Sequence, residues 1–442
     1  MKANAFVPFM LRRGDGSTLS LDFTAMSGLD SRFTFSRASI GTYIDSAGLV
    51  ASVSNDVPRF DHDPTTLAPR GLLLEGSATN LLTYSEDYSQ AAWTKQNVAR
   101  TTGQSSPDNQ TGATLLEENT TSYVKHGLER SITITAGVHT FSVWVKEPSS
   151  NSRRYVCLQL ADGQATAARY TIVADLQTGT ITASGATNGT AGAPTNTGHS
   201  ITAYPNGWYR LSITMNCVAS PVYPAVFLSD TSTLFGGNNQ PFYSAASPYK
   251  GLIVWGAQLE TGSGASSYIP TGAGAVQRTA DSCSIALSSF GFSTTGGTFY
   301  VDFFRGNFGS VANAAFGTDY TTTRWFGIQT PTASNTVQLY TWSGATSSAN
   351  GSTRNKVGAS YGAWTGSVVP VSLAVNNTAA VTGNRDFNPS LATQLTIGAN
   401  SASAGSSPPY GVATRDWLNN CVVRLKYWPF RLDDTALRNL TI

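Results

Sequence analysis

Hydrophobic and polar residues alternate along most of this chain in short runs separated by polar turns. Leu19-Ser-Leu-Asp-Phe23 and Arg32-Phe-Thr-Phe-Ser36 switch character every second residue, the period of a half-buried strand. Residues 43–50 read as strand, turn, strand, with the turn at 45–48. Arg59-Phe-Asp-His-Asp-Pro64 is polar and ends in a turn-forming Asp-Pro, and 71–75 is a buried strand. Residues 85–93 predict a short helix, with Ser85 as N-cap and Glu86 and Asp87 in its first turn. Strands then recur at 131–135, 140–146, 155–160, 169–173, 208–214, 225–228 and 251–255, with Phe141, Val143 and Val145 on one face. This rhythm predicts a two-sheet sandwich or jelly roll. Residues 183–198 read as a long surface loop and 270–280 as a linker. Beyond the linker, strands are expected at 298–304, 324–329, 337–342, 368–375, 394–398 and 421–428. One or two helical turns follow, capped by Asp433 or Asp434 and docked by Leu437 and Leu440. The expected class is all-β: tandem antiparallel β-sandwiches at 86–275 and 281–442, behind a short irregular segment at 1–85.

Composition agrees with this and narrows the function. Only 12% of residues are charged, about half the usual share, so long solvated helices are not available. The net charge of +2 excludes a nucleic-acid binder working through bulk charge, and it excludes an acidic tail. The four cysteines, at 157, 217, 283 and 421, form neither a CxxC motif nor a disulfide framework, and free buried thiols are expected. The apolar stretch at 5–11 is followed, not preceded, by Arg12-Arg13, so it does not read as a signal peptide. No run approaches the length of a membrane span.

Catalytic signatures are sparse. The acidic groups Asp61/Asp63, Asp108, Glu117-Glu118 and Asp433-Asp434 do not sit in an aromatic setting, as a glycosidase pair would. Asp61-His62-Asp63-Pro64 is the one cluster with acid–base or metal character, and it reads as a turn. His62, His126, His139 and His199 lack zinc spacing, and there is no GxSxG nucleophile. Glu117-Glu118 reads as a solvated edge or a calcium ligand, so a structural calcium ion stays open and no other cofactor is expected. Aromatic rings can stack on the apolar faces of sugars. Trp325, Trp342, Tyr361 and Trp364, near Asn335, Gln338, Asn350 and Asn355, have the composition of a glycan cleft. Trp144, Trp208 and Trp255 fall inside hydrophobic strands and read as core, and Trp93 as packing beneath the short helix.

Several stretches match patterns of a known kind. Phe33-Thr-Phe-Ser-Arg-Ala-Ser39, Thr42-Tyr-Ile-Asp45, Val57-Pro-Arg-Phe-Asp61 and Gly71-Leu-Leu-Leu-Glu-Gly-Ser-Ala-Thr-Asn-Leu-Leu-Thr-Tyr-Ser-Glu-Asp87 together resemble a module common in tailed-bacteriophage virion proteins. Asp175-Leu-Gln-Thr-Gly-Thr180, Asn206-Gly-Trp-Tyr-Arg210, Val254-Trp-Gly-Ala-Gln-Leu-Glu260 and Ser267-Tyr-Ile-Pro-Thr271 resemble the jelly-roll, carbohydrate-binding-module-like domain of phage tail fibres and spikes. Val423-Arg-Leu-Lys-Tyr-Trp-Pro-Phe-Arg-Leu-Asp-Asp-Thr-Ala-Leu437 is similar to the last strand and terminal helix of concanavalin A-like (laminin-G-like) lectin sandwiches. The resemblance covers about 33–280 specifically and 281–442 more loosely. It implies a non-enzymatic virion appendage, a tail fibre, spike or head or collar fibre, assembled in the bacterial cytoplasm. Such proteins are often homotrimers. The first 85 residues would hold other virion proteins or brace the second block, and the sandwiches would face host-surface polysaccharide. No nucleic-acid partner and no membrane insertion are expected. A purely structural fibre, collar or capsid-decoration protein is the alternative. A polysaccharide depolymerase is disfavoured, since parallel β-helix repeats are missing.

Overall fold

The computed structural model describes residues 15–163, 168–189, 192–218, 221–236, 239–306, 313–318, 326–331, 336–341, 344–348, 351–399 and 417–442. Each alternating strand has one apolar face to bury, and the described chain buries these faces in two antiparallel β-sandwiches. In the first, one sheet runs in the order Gly198–Tyr204, Trp208–Cys217, Gly137–Lys146, Gly251–Thr261, Ala113–Glu118, Val98–Gln104. Its partner runs Thr180–Thr187, Ala168–Asp175, Tyr155–Asp162, Val222–Ser229, Gly127–Glu129, Thr94–Gln96. Phe141, Val143 and Val145 point into the core between them, with Leu158, Ile172, Leu211 and Val226. The intervening Trp144 points out of the sandwich, as the two-residue period of a strand requires.

The second sandwich is built from both ends of the sequence. One sheet runs Val381–Arg385, Val369–Val375, Arg354–Tyr361, Gly297–Phe304, Asn420–Trp428. The far edge of Asn420–Trp428 is shared by two early strands. Leu19–Asp22 pairs with its second half (Leu21 opposite Leu425), and Pro69–Leu74 with its first (Leu73 opposite Cys421). Arg59–His62 closes that edge. The facing sheet runs Phe33–Ser36, Ser282–Ala286, Gln394–Ile397, Asn313–Thr318, Phe326–Thr330, Val337–Thr341, Gly344–Ser348. Leu21, Phe23, Leu72 and Leu74 therefore share one core with Phe299, Phe316, Leu425 and Tyr427. Gly71 lets the early strand approach: it sits at φ +100°, and a Cβ there would collide with the Val422 carbonyl oxygen.

Residues 15–85 are thus divided between the sandwiches. Four of their strands belong to the second sandwich. The hairpin Gly41–Ile44 and Val50–Val53 instead lies on the outward face of the first, with Val50 and Ile44 packed against Trp144, Trp208, Trp255 and Tyr268. The linker is also built in, since Val276–Arg278 pairs with Ala78–Asn80.

Other local expectations are revised for identifiable reasons. Arg59–His62 is a strand, because the polar side chains that disguise it are satisfied inside the protein. Residues 85–93 form turns, not a helix. The Ser85 hydroxyl bonds Tyr268 and the Thr271 amide, and Asp87 accepts from Ser89 two residues on, a local turn that competes with capping. Trp93 is buried there, donating to the Tyr84 carbonyl. Thr180–Thr187 is an edge strand that takes up the start of the loop expected at 183–198, and 131–135 contributes only an isolated bridge at Ile132. The terminal helix spans Asp434–Asn439, with Asp433 accepting from the Ala436 amide at 2.8 Å and Leu437 buried. All four cysteines are buried free thiols. No helix of the described residues is long and apolar enough to cross a membrane.

Candidate functional site

The stretches that resemble the virion module meet in one buried place. Arg59 donates to Glu75 at 2.7 Å, to Asp281 at 2.5 Å, to the Thr42 carbonyl and to Ser267. Arg37 reaches Asp281 at 3.2 Å and the carbonyls of Ser39, Ser54 and Val57. Arg278 lies 3.7 Å from Glu75, and the Ser267 amide and hydroxyl also donate to Glu75. Arg37, Arg59, Glu75 and Asp281 have almost no exposed side chain. Burial alone would raise the Glu75 pKa, but Arg278, Arg59 and Ser267 outweigh it and hold the carboxyl at about 2. Glu75 is therefore a committed ion-pair partner and no proton donor.

Beside this network is a cavity of about 470 Å³. Its walls come from the hairpin (Thr42, Ile44, Val50), the Arg59–His62 strand (Asp61, His62) and its neighbour Pro69–Leu74 (Arg70), the outward face of the first sandwich (Trp144, Tyr204, Arg210, Ser212), the loop 263–268, and Asn419 and Asn420. His199 and Ser200, which are exposed, also line it. Arg210 stacks over Trp144, 4.3 Å from the ring centre, and donates to the Ser266 carbonyl and Ser142. Arg70 stacks over Phe304 at 4.7 Å and donates to Asn420 at 2.9 Å. His62 donates from Nδ1 to the Ile44 carbonyl at 3.2 Å. The wall thus combines aromatic surface, amides, hydroxyls and cations, the mixture a polar organic ligand needs.

Asp61 is the unusual group here. Its Oδ1 accepts from the Ile44 amide at 2.7 Å, and the Cys421 thiol lies 3.9 Å from Oδ2. Burial pushes its pKa up to about 6, against the pull of the Ile44 amide, Arg70 and Arg59 and with the added push of Glu75. A folded-state pKa raised above the usual 3.8 means that the folded protein holds this proton more tightly than the unfolded chain. The stabilisation is complete below about pH 4 and is lost as pH rises through about 6. Asp61→Asn keeps an acceptor for the Ile44 amide. We expect it to be as stable as the parent near pH 4 and more stable by up to about 3 kcal/mol near pH 7.5. Urea midpoints at the two pH values check this, and a difference that does not change with pH would refute it.

Of the four aromatic residues singled out from sequence, Tyr361 and Trp364 are described, and both pack on the second core. Trp325 and Trp342, like Asn335 and Asn350, lie outside the described residues. Tyr361 is fully buried in the second core, its hydroxyl donating to the Ser293 carbonyl and meeting Tyr427, so no ring face is left for a sugar. Trp364 is half-buried against that same core. Gln338 takes part in an amide ladder with Gln329 and Ser347, and Asn355 is buried. Trp144, Trp208 and Trp255 are buried, but on the outer face under the hairpin and not between the sheets. Glu118 is not an exposed edge: it is buried, accepting from Arg153 at 2.6 Å, from Tyr243 and from the Lys250 amide. Asp63 fits the turn reading, accepting from the Thr65 and Thr66 amides. What sequence reading missed is that Asp61 and His62, adjacent to that turn, face a cavity with Arg70 and Arg210. The one signal available was the density of polar side chains at 59–64.

No protein-family model matches the chain, and no curated protein matches it significantly. Solved structures with partial likeness are β-rich. The carbohydrate-binding module CBM40 of a Ruminococcus gnavus IT-sialidase, bound to α2,3-sialyllactose, is 13% identical over 34% of this chain and 83% of its own, with a TM-score of 0.25. Domains LG4-5 of the mouse laminin α1 chain are 9% identical over 84% of this chain and 94% of theirs, at 0.24. A Trypanosoma rangeli sialidase is 9% identical over 79% of this chain and 62% of its own, at 0.27. The assignment of antiparallel β-sandwiches rests on the strand pairing of the chain itself.

Proposed function

We propose that this protein is a non-enzymatic, glycan-binding appendage protein of a tailed-phage virion, with the junction cavity as its saccharide site. One observation carries the reading. The residues that resemble the virion module converge on a buried charge network, and that network forms one side of a polar, aromatic-lined cavity between the sandwiches. A saccharide needs ring surface to stack on and a dense set of donors and acceptors, and Trp144, Tyr204, Arg210, Asn419 and Asn420 supply both kinds. The carboxylates of this cavity support the non-enzymatic reading. Glu75 is tied up by two arginines and a serine, which leaves Asp61 without the second working carboxyl that glycoside hydrolysis requires.

The test is binding of the full chain to an array of bacterial capsular polysaccharides and O-antigens, with reducing ends assayed in the same wells. Saturable binding without new reducing ends is expected, and it should be lost in Thr202→Trp, which fills the cavity from its edge strand. New reducing ends would overturn the non-enzymatic assignment. Binding to none of the polysaccharides would leave the structural-fibre reading in its place.

A further inference from the structure

The charges lining the junction cavity are unequally committed. Each carboxylate there is engaged. Glu75 is held by Arg59, Arg278 and Ser267, and Asp61 by the Ile44 amide and the Cys421 thiol. Neighbouring Glu260 is also held, by Gln258 and Ser266. The two cavity arginines are committed differently. Arg70 and Arg210 rest on aromatic rings and bond to carbonyl, amide and hydroxyl oxygens, and neither has a carboxylate within ion-pair distance among the described residues. Both line the same cavity, together with Tyr204 and Asp61. Other arginines of this chain, namely Arg32, Arg37, Arg59, Arg153, Arg154, Arg354 and Arg424, do have such carboxylate partners.

A guanidinium fixed on a ring with no carboxylate in ion-pair contact can receive a planar anion, since its fork matches a carboxylate; Asp61 and Asp63 act on Arg70, and Glu260 on Arg210, only from beyond that distance. We propose that the junction cavity selects an acidic saccharide, one whose sugar ring carries a carboxylate, and pairs that carboxylate with Arg70 and Arg210. This rests on the saccharide reading given above and adds the ligand's charge class. The neutral part of such a sugar would meet Tyr204, Ser200 and Thr202.

The experiment is calorimetric titration of the full chain with matched probes: trigalacturonate against galactotriose, and sialyllactose against lactose. At least one acidic probe is expected to bind about tenfold or more tightly than its neutral counterpart, the gain that a charge-assisted hydrogen bond gives. The preference should weaken as salt is raised. Arg70→Gln should abolish the preference and Arg70→Lys should restore part of it, with both variants checked for unchanged melting. Equal binding of acidic and neutral probes overturns the acidic class and leaves the saccharide reading standing. An acidic preference that survives Thr202→Trp places the site elsewhere and overturns the cavity assignment. No binding of any probe, by a chain that does bind polysaccharides on the array, overturns the acidic class as represented by these sugars. Failure on both overturns the saccharide reading as well.

Discussion

Replacing Asp281 with alanine is expected to cost the folded protein about 3–5 kcal/mol, the usual consequence of removing one member of a buried ion network. Asp281 joins Arg37 and Arg59 and also accepts from the Glu75 amide at 2.8 Å, with no exposed side-chain surface. Its removal leaves two guanidiniums in a place water does not reach, with one carboxylate, Glu75, remaining for Arg59 and Arg278. Arg37 keeps three carbonyl acceptors, so the loss is that of the charge partner and not of every hydrogen bond. The comparison is Asp22→Ala. Asp22 pairs with Arg424 on the surface, both roughly two-fifths exposed or more, and an exposed pair is worth less than about 1 kcal/mol. Denaturant midpoints of the two variants decide the matter. Equal small effects would mean that the junction network does not hold the fold. Because the network ties 37–75 to 267–281, unfolding followed in either sandwich should shift together in Asp281→Ala.

Much of the fold was legible because its strands are amphipathic on a local scale. Phe141, Val143 and Val145 announce an inward face, and the structure places them there. The capped helix after Asp433 was equally local. What could not be read is which strand pairs with which. Leu21 meets Leu425 across about four hundred residues, and nothing in the spacing of either run specifies the other. The same limit hid the site. Asp61, Trp144 and Arg210 belong to separate parts of the chain, and they read locally as turn, core and strand. The outward Trp144 and Trp255 were read as buried, which they are, but the surface that buries them is the hairpin 41–53 from a different part of the chain. Aromatic residues near Asn and Gln in the third block suggested a cleft by composition alone, and composition does not distinguish a ring in a core, such as Tyr361, from a ring on a surface.

The division of the early strands makes a second large effect predictable. A fragment of residues 281–442, the span that sequence delimits as a sandwich, is expected not to fold by itself. It lacks Leu19–Asp22 and Pro69–Leu74, so the whole far edge of Asn420–Trp428 is left unpaired. It also lacks Phe33–Ser36, which closes the facing sheet beyond Ser282–Ala286. The core loses Leu19, Leu21, Phe23, Leu72 and Leu74, each almost fully buried. At about 1.5–3 kcal/mol for each side chain, the lost burial is on the order of 10 kcal/mol, as large as the net stability of an ordinary domain. A long apolar strand with a free edge also promotes association. The fragment should therefore be aggregated or lack dispersed amide resonances, and co-expression with residues 15–80 should rescue it. A fragment of residues 77–278 gives the opposite expectation. It retains both sheets of the first sandwich and the pairing of Ala78–Asn80 with Val276–Arg278, and it loses the hairpin over Trp144 and Trp255 and the partners that Arg59 and Glu75 give to Ser267 and Arg278. That fragment should fold with a dispersed spectrum while exposing an aromatic patch that draws it into oligomers. A well-dispersed, cooperatively unfolding 281–442 would show that the early strands decorate the second sandwich and do not complete it. The division of residues 15–85 would then be a matter of attachment and not of folding.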